Sequence, residues 1–216
     1  MSARFPGYDV MAKRHSPSWN EKTREVIDRR LALSREPRFF KPEEFRTLEA
    51  VCDRIMPQPP GEPDNRPPVA LAAMIDTKLF EDKGDGYRDH RLPPLGEAWR
   101  CGLAGIEAEA RRRHNAGFAE LEETERDGLL RMTQEGKIAG DWGGMLPDLF
   151  FAKRLVPDIV SAYYSHPTAW NEIGFGGPAA PRGYVRMDFD RRDPWEAAEA
   201  TPGKEAEVSK ANARVG

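Results

Sequence analysis

The sequence predicts a mostly α-helical protein. The expected architecture is a compact bundle of about six short helices with Pro/Gly-rich loops, an extended N-terminal lead and an irregular C-terminal segment. Three observations predict it. Between residues 18 and 166, apolar residues recur at three- and four-residue spacing, as one face of a helix requires. Only the stretch YVRMDF at 184–189 alternates as a strand would. The 19 prolines and 19 glycines exclude a long coiled coil and break the chain into short helices joined by stiff loops.

Composition narrows the function classes. A chain of 216 residues can hold one domain with extensions and needs no disulfides to fold. Hydrophobic residues are 39% of it and charged residues 32%, so polar segments should lie outside a compact core. The net charge of −3 argues against a nucleic-acid binder that works by neutralising phosphates. Apolar runs are far below the roughly 20 residues that span a bilayer. The basic residues Arg4, Lys13 and Arg14 precede no apolar run, so the chain reads as cytoplasmic. Cys52 and Cys101 lack zinc-site spacing and read as small core residues, reduced in that compartment.

The elements follow in order. Residues 1–17 form an extended strap, because Phe5, Tyr8, Val10 and Met11 need a surface to cover. A helical domain is expected over 18–166. Ser18 and Glu21 have capping-box spacing before Val26, Ile27 and Leu31, and Pro37 closes that helix. The second helix starts at Pro42, gains from Glu43 and Glu44 in its first turn, and carries Phe45, Leu48, Val51, Cys52 and Ile55 on one face. After a proline-rich loop the third helix covers about 68–80. The fourth starts near Pro93–Pro94, and its Gly102 and Gly105 imply a close helix–helix crossing. Thr124 can cap a fifth. A sixth runs from about 146 to 164, and Pro157 should kink or divide it. Residues 167–196 read as an irregular Gly/Pro/aromatic segment that binds a partner, and 197–216 as a disordered tail.

Catalytic inventories come up short. The four histidines, His15, His90, His114 and His166, share no helix face with an acid or a Cys at ligand spacing. Asp82, Asp85 and Asp89 lack the calcium-loop pattern. Residues 174–177, GFGG, lack the full GxGxxG and follow no strand. Arg111, Arg112 and Arg113 suit the C-terminal end of a helix dipole without any phosphate. No catalytic, cofactor or metal residue is therefore assigned. Two readings from other classes stand beside that. One is an autonomous helical enzyme using a helix-face carboxylate pair that includes Asp76. The other is a helical adaptor for an unrelated partner.

Phe45, Leu48, Asp53, Ile55 and Pro57, then Ile75 with Asp76, and finally Trp170, Ile173 and Gly174 stand in an order that resembles the gluconate 2-dehydrogenase subunit 3 family. The first five match its opening helix, and Ile75 with Asp76 its Ile-Asp helix end. Gly102, Leu103 and Ile106 follow, then Phe118 and Leu121, Leu129 and Leu130, and Phe150 and Phe151. Trp170, Ile173 and Gly174 match the closing Trp-x-x-Ile-Gly turn. The pieces span about residues 39–177.

The resemblance implies a small, non-catalytic subunit of a heteromeric flavoprotein dehydrogenase. The partner would be a large subunit of the glucose–methanol–choline family holding FAD. It would oxidise gluconate, glucose, fructose, sorbitol or the 3-position of glycosides and pass electrons to a cytochrome or another acceptor. The small subunit would stabilise the large one, and in many members carries a twin-arginine export signal. Here the strap stands in that place, which implies a cytoplasmic complex, with co-export on a signal-bearing partner as the alternative. The expected partner-contacting residues are Phe5, Tyr8, Trp19, Trp170, Ile173, Phe175 and Tyr184, with Trp170 as the anchor.

Overall fold

A computed structural model of the chain describes residues 4–58, 68–84, 86, 89–178, 193 and 195–215. All regular structure among them is helical. No described helix is long and apolar enough to cross a membrane. The YVRMDF stretch and Tyr184 lie outside the described residues. The described parts of Met1–Ala32, Pro60–Val69 and Tyr164–Gly216 form one compact unit, and those of Leu33–Pro59 and Ala70–Tyr163 a second.

The second unit holds the expected helices from Pro42 onward, whereas the helix expected after Ser18 lies in the first unit. Helix α2 (Pro42–Ile55) begins where Pro42 loses nothing by lacking an N–H, and the Lys41 N–H donates to Glu44 Oε2 at 2.8 Å. Its Leu48, Val51 and Cys52 are buried. Helix α3 (Leu71–Phe80) starts three residues later than expected. Helix α4 (Leu95–His114) ends on Asn115 in the left-handed region at φ 56°. A 3-10 turn at Phe118–Glu120 leads to helix α5 (Glu123–Gln134). The cap residue of α5 is Glu122, not Thr124, and its N–H donates to Glu125 Oε2 at 3.0 Å.

Gly102 and Gly105 of α4 each accept an aromatic ring. A Cβ at Gly102 would lie 2.2 Å from the Phe150 ring, and one at Gly105 would lie 2.5 Å from the Trp142 ring. The expected close approach is therefore ring against backbone. Phe150 also meets Trp99 edge-on, with centroids 5.6 Å apart.

The α-helical register of the last long helix is interrupted immediately before Pro157. Helix α6 (Pro147–Phe150) passes through a π-helical turn (Phe151–Leu155) into α7 (Val156–Tyr164). The Val156 N–H reaches back five residues to the Phe151 carbonyl. The wider turn lies immediately before Pro157, where a normal α-helical register would bring the proline ring against the Lys153 carbonyl.

The first unit departs further from expectation. The lead is not extended throughout, because Val10–His15 forms a 3-10 helix whose cap, Asp9, accepts the Met11 N–H at 2.9 Å. Helix α1 (Glu21–Leu31) is capped by Asn20, which accepts the Thr23 N–H at 2.9 Å. Ser18, the expected cap, accepts instead from Lys13 Nζ at 3.0 Å. The irregular segment opens with helix α8 (Pro167–Ile173), where proline again occupies the first turn. The tail is ordered and helical. Helix α9 (Glu205–Asn212) leaves Asn212 and Val215 buried at 1% and 4% exposure. Low aromatic and aliphatic content misread it, since one polar side chain anchors it. Asn212 donates to the Pro6 and Ala198 carbonyls and accepts the Ala198 N–H at 2.7 Å.

Candidate functional site

Among the described residues expected to meet a partner, Phe5, Tyr8, Trp19 and Phe175 gather in the first unit around Trp170. Its indole N–H donates to the Tyr164 carbonyl at 2.7 Å. Gly174 ends α8 at φ 67°, and its N–H bonds back to the Trp170 carbonyl. The Phe175 N–H donates to the same carbonyl at 2.9 Å, and the Phe175 ring stands edge-on to Trp170 at 5.6 Å. Tyr8, Val10, Trp19, Ile27, Trp170 and Val215 form the buried cluster, with Phe5, Met11, Phe175 and Trp195 packed against it.

The GFGG stretch closes this cluster by backbone approach. A Cβ on Gly174 would lie 2.5 Å from the Phe5 ring, and one on Gly177 would lie 2.9 Å from Trp170 and 3.0 Å from Trp19. A Cβ on Gly176 would lie 2.9 Å from Lys13 Nζ, and the Gly176 carbonyl accepts the Trp19 indole N–H at 3.3 Å. The space in which a dinucleotide loop would hold a pyrophosphate is filled by the chain's own side chains.

The six of these residues that are described separate on burial. Tyr8, Trp19 and Trp170 are 1–2% exposed within this chain alone. Phe5 and Phe175 are half-buried, and Ile173 is 45% exposed. A side chain that is 2% exposed offers a partner almost no area, so Trp170 acts here as the centre of the unit's own core. Sequence reasoning missed the polar groups that hold the cluster. Asn171 Oδ1 accepts the Val10 N–H at 2.7 Å, and Arg30 donates to the Ser165 carbonyl at 2.6 Å. Lys13 is 2% exposed, with Ser18 and the Trp19 ring as its neighbours, and burial lowers its pKa to about 8. His166, ahead of Pro167, carried the available signal: a potential cap residue followed by proline.

In the second unit the buried acids hold structure. Asp76 accepts the backbone N–H groups of Arg38, Phe39 and Phe40 at 2.8–3.0 Å, which pins the segment entering α2. Asp158 accepts from the Trp99 indole at 2.8 Å and from Lys78 at 3.2 Å. Glu109 is paired with Arg112 and Arg113, whose hydrogen bonds, Arg112's first, hold its pKa down at about 2. Arg111 pairs with Glu107 at 2.8 Å, so every arginine of the run has a carboxylate partner. Cys52 and Cys101 are unbridged, and burial pushes the Cys52 thiol up.

The model of the family described as gluconate 2-dehydrogenase subunit 3 matches residues 42–177. The chain belongs to that family. No curated protein and no solved structure matches it. As a gluconate 2-dehydrogenase subunit 3 protein, it is a subunit of an oxidoreductase complex. The matched region runs from the first residue of α2 through the glycine turn after α8. It thus includes Asp76, the α4 glycines and Trp170. Phe5, Tyr8, Trp19 and Val215, which cover Trp170, lie outside it.

Proposed function

We propose that this chain is the non-catalytic small subunit of a cytoplasmic FAD-dependent dehydrogenase acting on a sugar, polyol or glycoside. It stabilises a flavoprotein large subunit of the glucose–methanol–choline family, which holds the FAD and passes electrons to a cytochrome or another acceptor. The family match over residues 42–177 carries this reading. The commitment of Asp76 to three backbone N–H groups supports it over an autonomous enzyme, because that carboxylate is already used in folding.

The partner surface is proposed around Ile173, with the accessible edges of Phe5 and Phe175. Tyr8, Trp19 and Trp170 shape that surface from beneath rather than enter the partner. Exposed apolar side chains supply contact area, while rigid packing below limits the ordering cost of binding.

Purification of the tagged full chain from its own cells, with mass spectrometry of what accompanies it, tests the reading. The expected result is a 1:1 complex with a yellow flavoprotein that oxidises a sugar or glycoside. Sugar turnover by the purified chain without any flavoprotein would overturn it. Ile173→Asp should keep the melting temperature of the chain and weaken the complex at least tenfold. Unchanged binding would remove Ile173 from the surface.

A further inference from the structure

His166 sits where only its neutral form can work. It is the residue immediately before helix α8, and its Nδ1 accepts the Thr168 backbone N–H at 3.2 Å. Protonation would put an N–H at the position where an acceptor is needed. The surroundings disfavour that proton as well. Arg30, from α1, is fixed to the carbonyl of Ser165, the residue next to His166, and its charge acts on the imidazole. The N-terminal end of α8 adds partial positive charge of the same sign. Glu172, the acid of α8, lies six positions further along the chain, at the helix's other end. Asp28, two residues before Arg30, is engaged by Arg14 at 2.5 and 2.6 Å.

What α8 carries makes this position consequential. Trp170 is the centre of the buried cluster, and Asn171 holds the first N–H of the 3-10 helix in the lead. The turn that follows α8 receives Phe5, Lys13 and Trp19.

We propose that His166 is a pH-sensitive latch of the first unit: neutral, it caps α8 and holds Trp170 against the lead and tail, and protonated, it releases that cap. Burial and Arg30 lower its pKa from 6.5 to about 4. The sign follows from linkage. Between pH 6.5 and 4 the unfolded imidazole takes up a proton that the folded one resists, so the latch's stabilisation is complete above pH 6.5 and is lost as pH falls towards 4. Lys13, a buried base of the unit, titrates near pH 8 and stays charged throughout this window.

The test uses the full chain at pH 7.5 and pH 5.0. NMR titration should place the His166 midpoint at least one unit below 6.5, and a midpoint at or above 6.5 overturns the latch without any mutation. Thermal melting should fall between pH 7.5 and 5.0, with hydrogen-exchange protection dropping most in residues 8–19 and 167–177. His166→Asn keeps a cap acceptor but cannot titrate there. It should melt near wild type at pH 7.5 and lose most of the acid decrease. A decrease as large as wild type in this variant overturns the proposal. Arg30→Gln removes the facing charge, so the His166 midpoint should rise towards 6.5 and the acid decrease should shrink. An unchanged midpoint in that variant removes Arg30 from the latch.

Discussion

The two units bury their apolar surface in different ways. In the second, the core comes from helix faces: Leu48 and Val51 on α2, Ile75 and Leu79 on α3, Leu103 and Ile106 on α4. Each helix contributes several residues at three- and four-residue spacing, so most of the apolar contact is spread over many side chains. In the first, the core comes from rings on segments far apart in sequence, with Tyr8 and Trp19 near one end, Trp170 and Phe175 near residue 170, and Trp195 and Val215 near the other. Such a core must close long loops before any contact forms, and it concentrates its contacts in a few side chains. The difference teaches that the first unit depends on individual residues far more than the second does.

The largest expected effect sharpens that contrast directly. Trp170→Ala and Trp99→Ala both delete a buried indole and should each cost about 3–5 kcal/mol. Trp170→Ala should concentrate its loss of hydrogen-exchange protection in residues 8–19 and 167–177. Trp99→Ala should concentrate its loss around α4 and α7, where Asp158 also loses its indole donor. A uniform loss of protection across the chain in both variants would break the comparison.

A smaller effect is expected where the second unit does rely on one residue. Asp76→Asn leaves a single acceptor oxygen for three N–H donors and should cost about 2 kcal/mol by chemical denaturation. A cost below about 0.5 kcal/mol would mean that α2 holds its entering segment without the carboxylate.

Glycine substitutions separate crowding from backbone conformation. Gly177 and Gly203 both have positive φ, at 71° and 82°. A Cβ on Gly177 meets Trp170 and Trp19, whereas one on Gly203 meets nothing within 4 Å. Gly203→Ala should cost about 1 kcal/mol from conformation alone. Gly177→Ala should add about 1–2 kcal/mol of overpacking. Equal costs would show that the rings move aside freely.

A further expected effect is a slope with pH. Burial lowers Lys13 from 10.5 to about 8, so the unfolded chain binds the extra proton between those values and the folded chain grows more stable as pH rises from 8 to 10.5. Lys13→Met should lack that rise and should be relatively stabilised below pH 8. Parallel melting curves for the two proteins from pH 7 to 10.5 would contradict this.

What the sequence determined by itself is the helices of the second unit and the family. Pro42, the acids after it and the periodic apolar face specify α2 through local backbone preference and one-dimensional spacing, which any reader of the chain can count. The pieces from Phe45 to Gly174 placed the chain in its family for the same reason, since their order survives in the sequence. Tertiary structure alone decided the rest. Asp76 became a backbone anchor, GFGG a seat for Phe5, Lys13 and Trp19, and the tail a helix held by Asn212. Each of these depends on which distant group arrives, such as Pro6 beside Asn212 across the length of the chain. No local propensity or spacing encodes that arrival, because the contact energy exists only once the loops between its partners have closed.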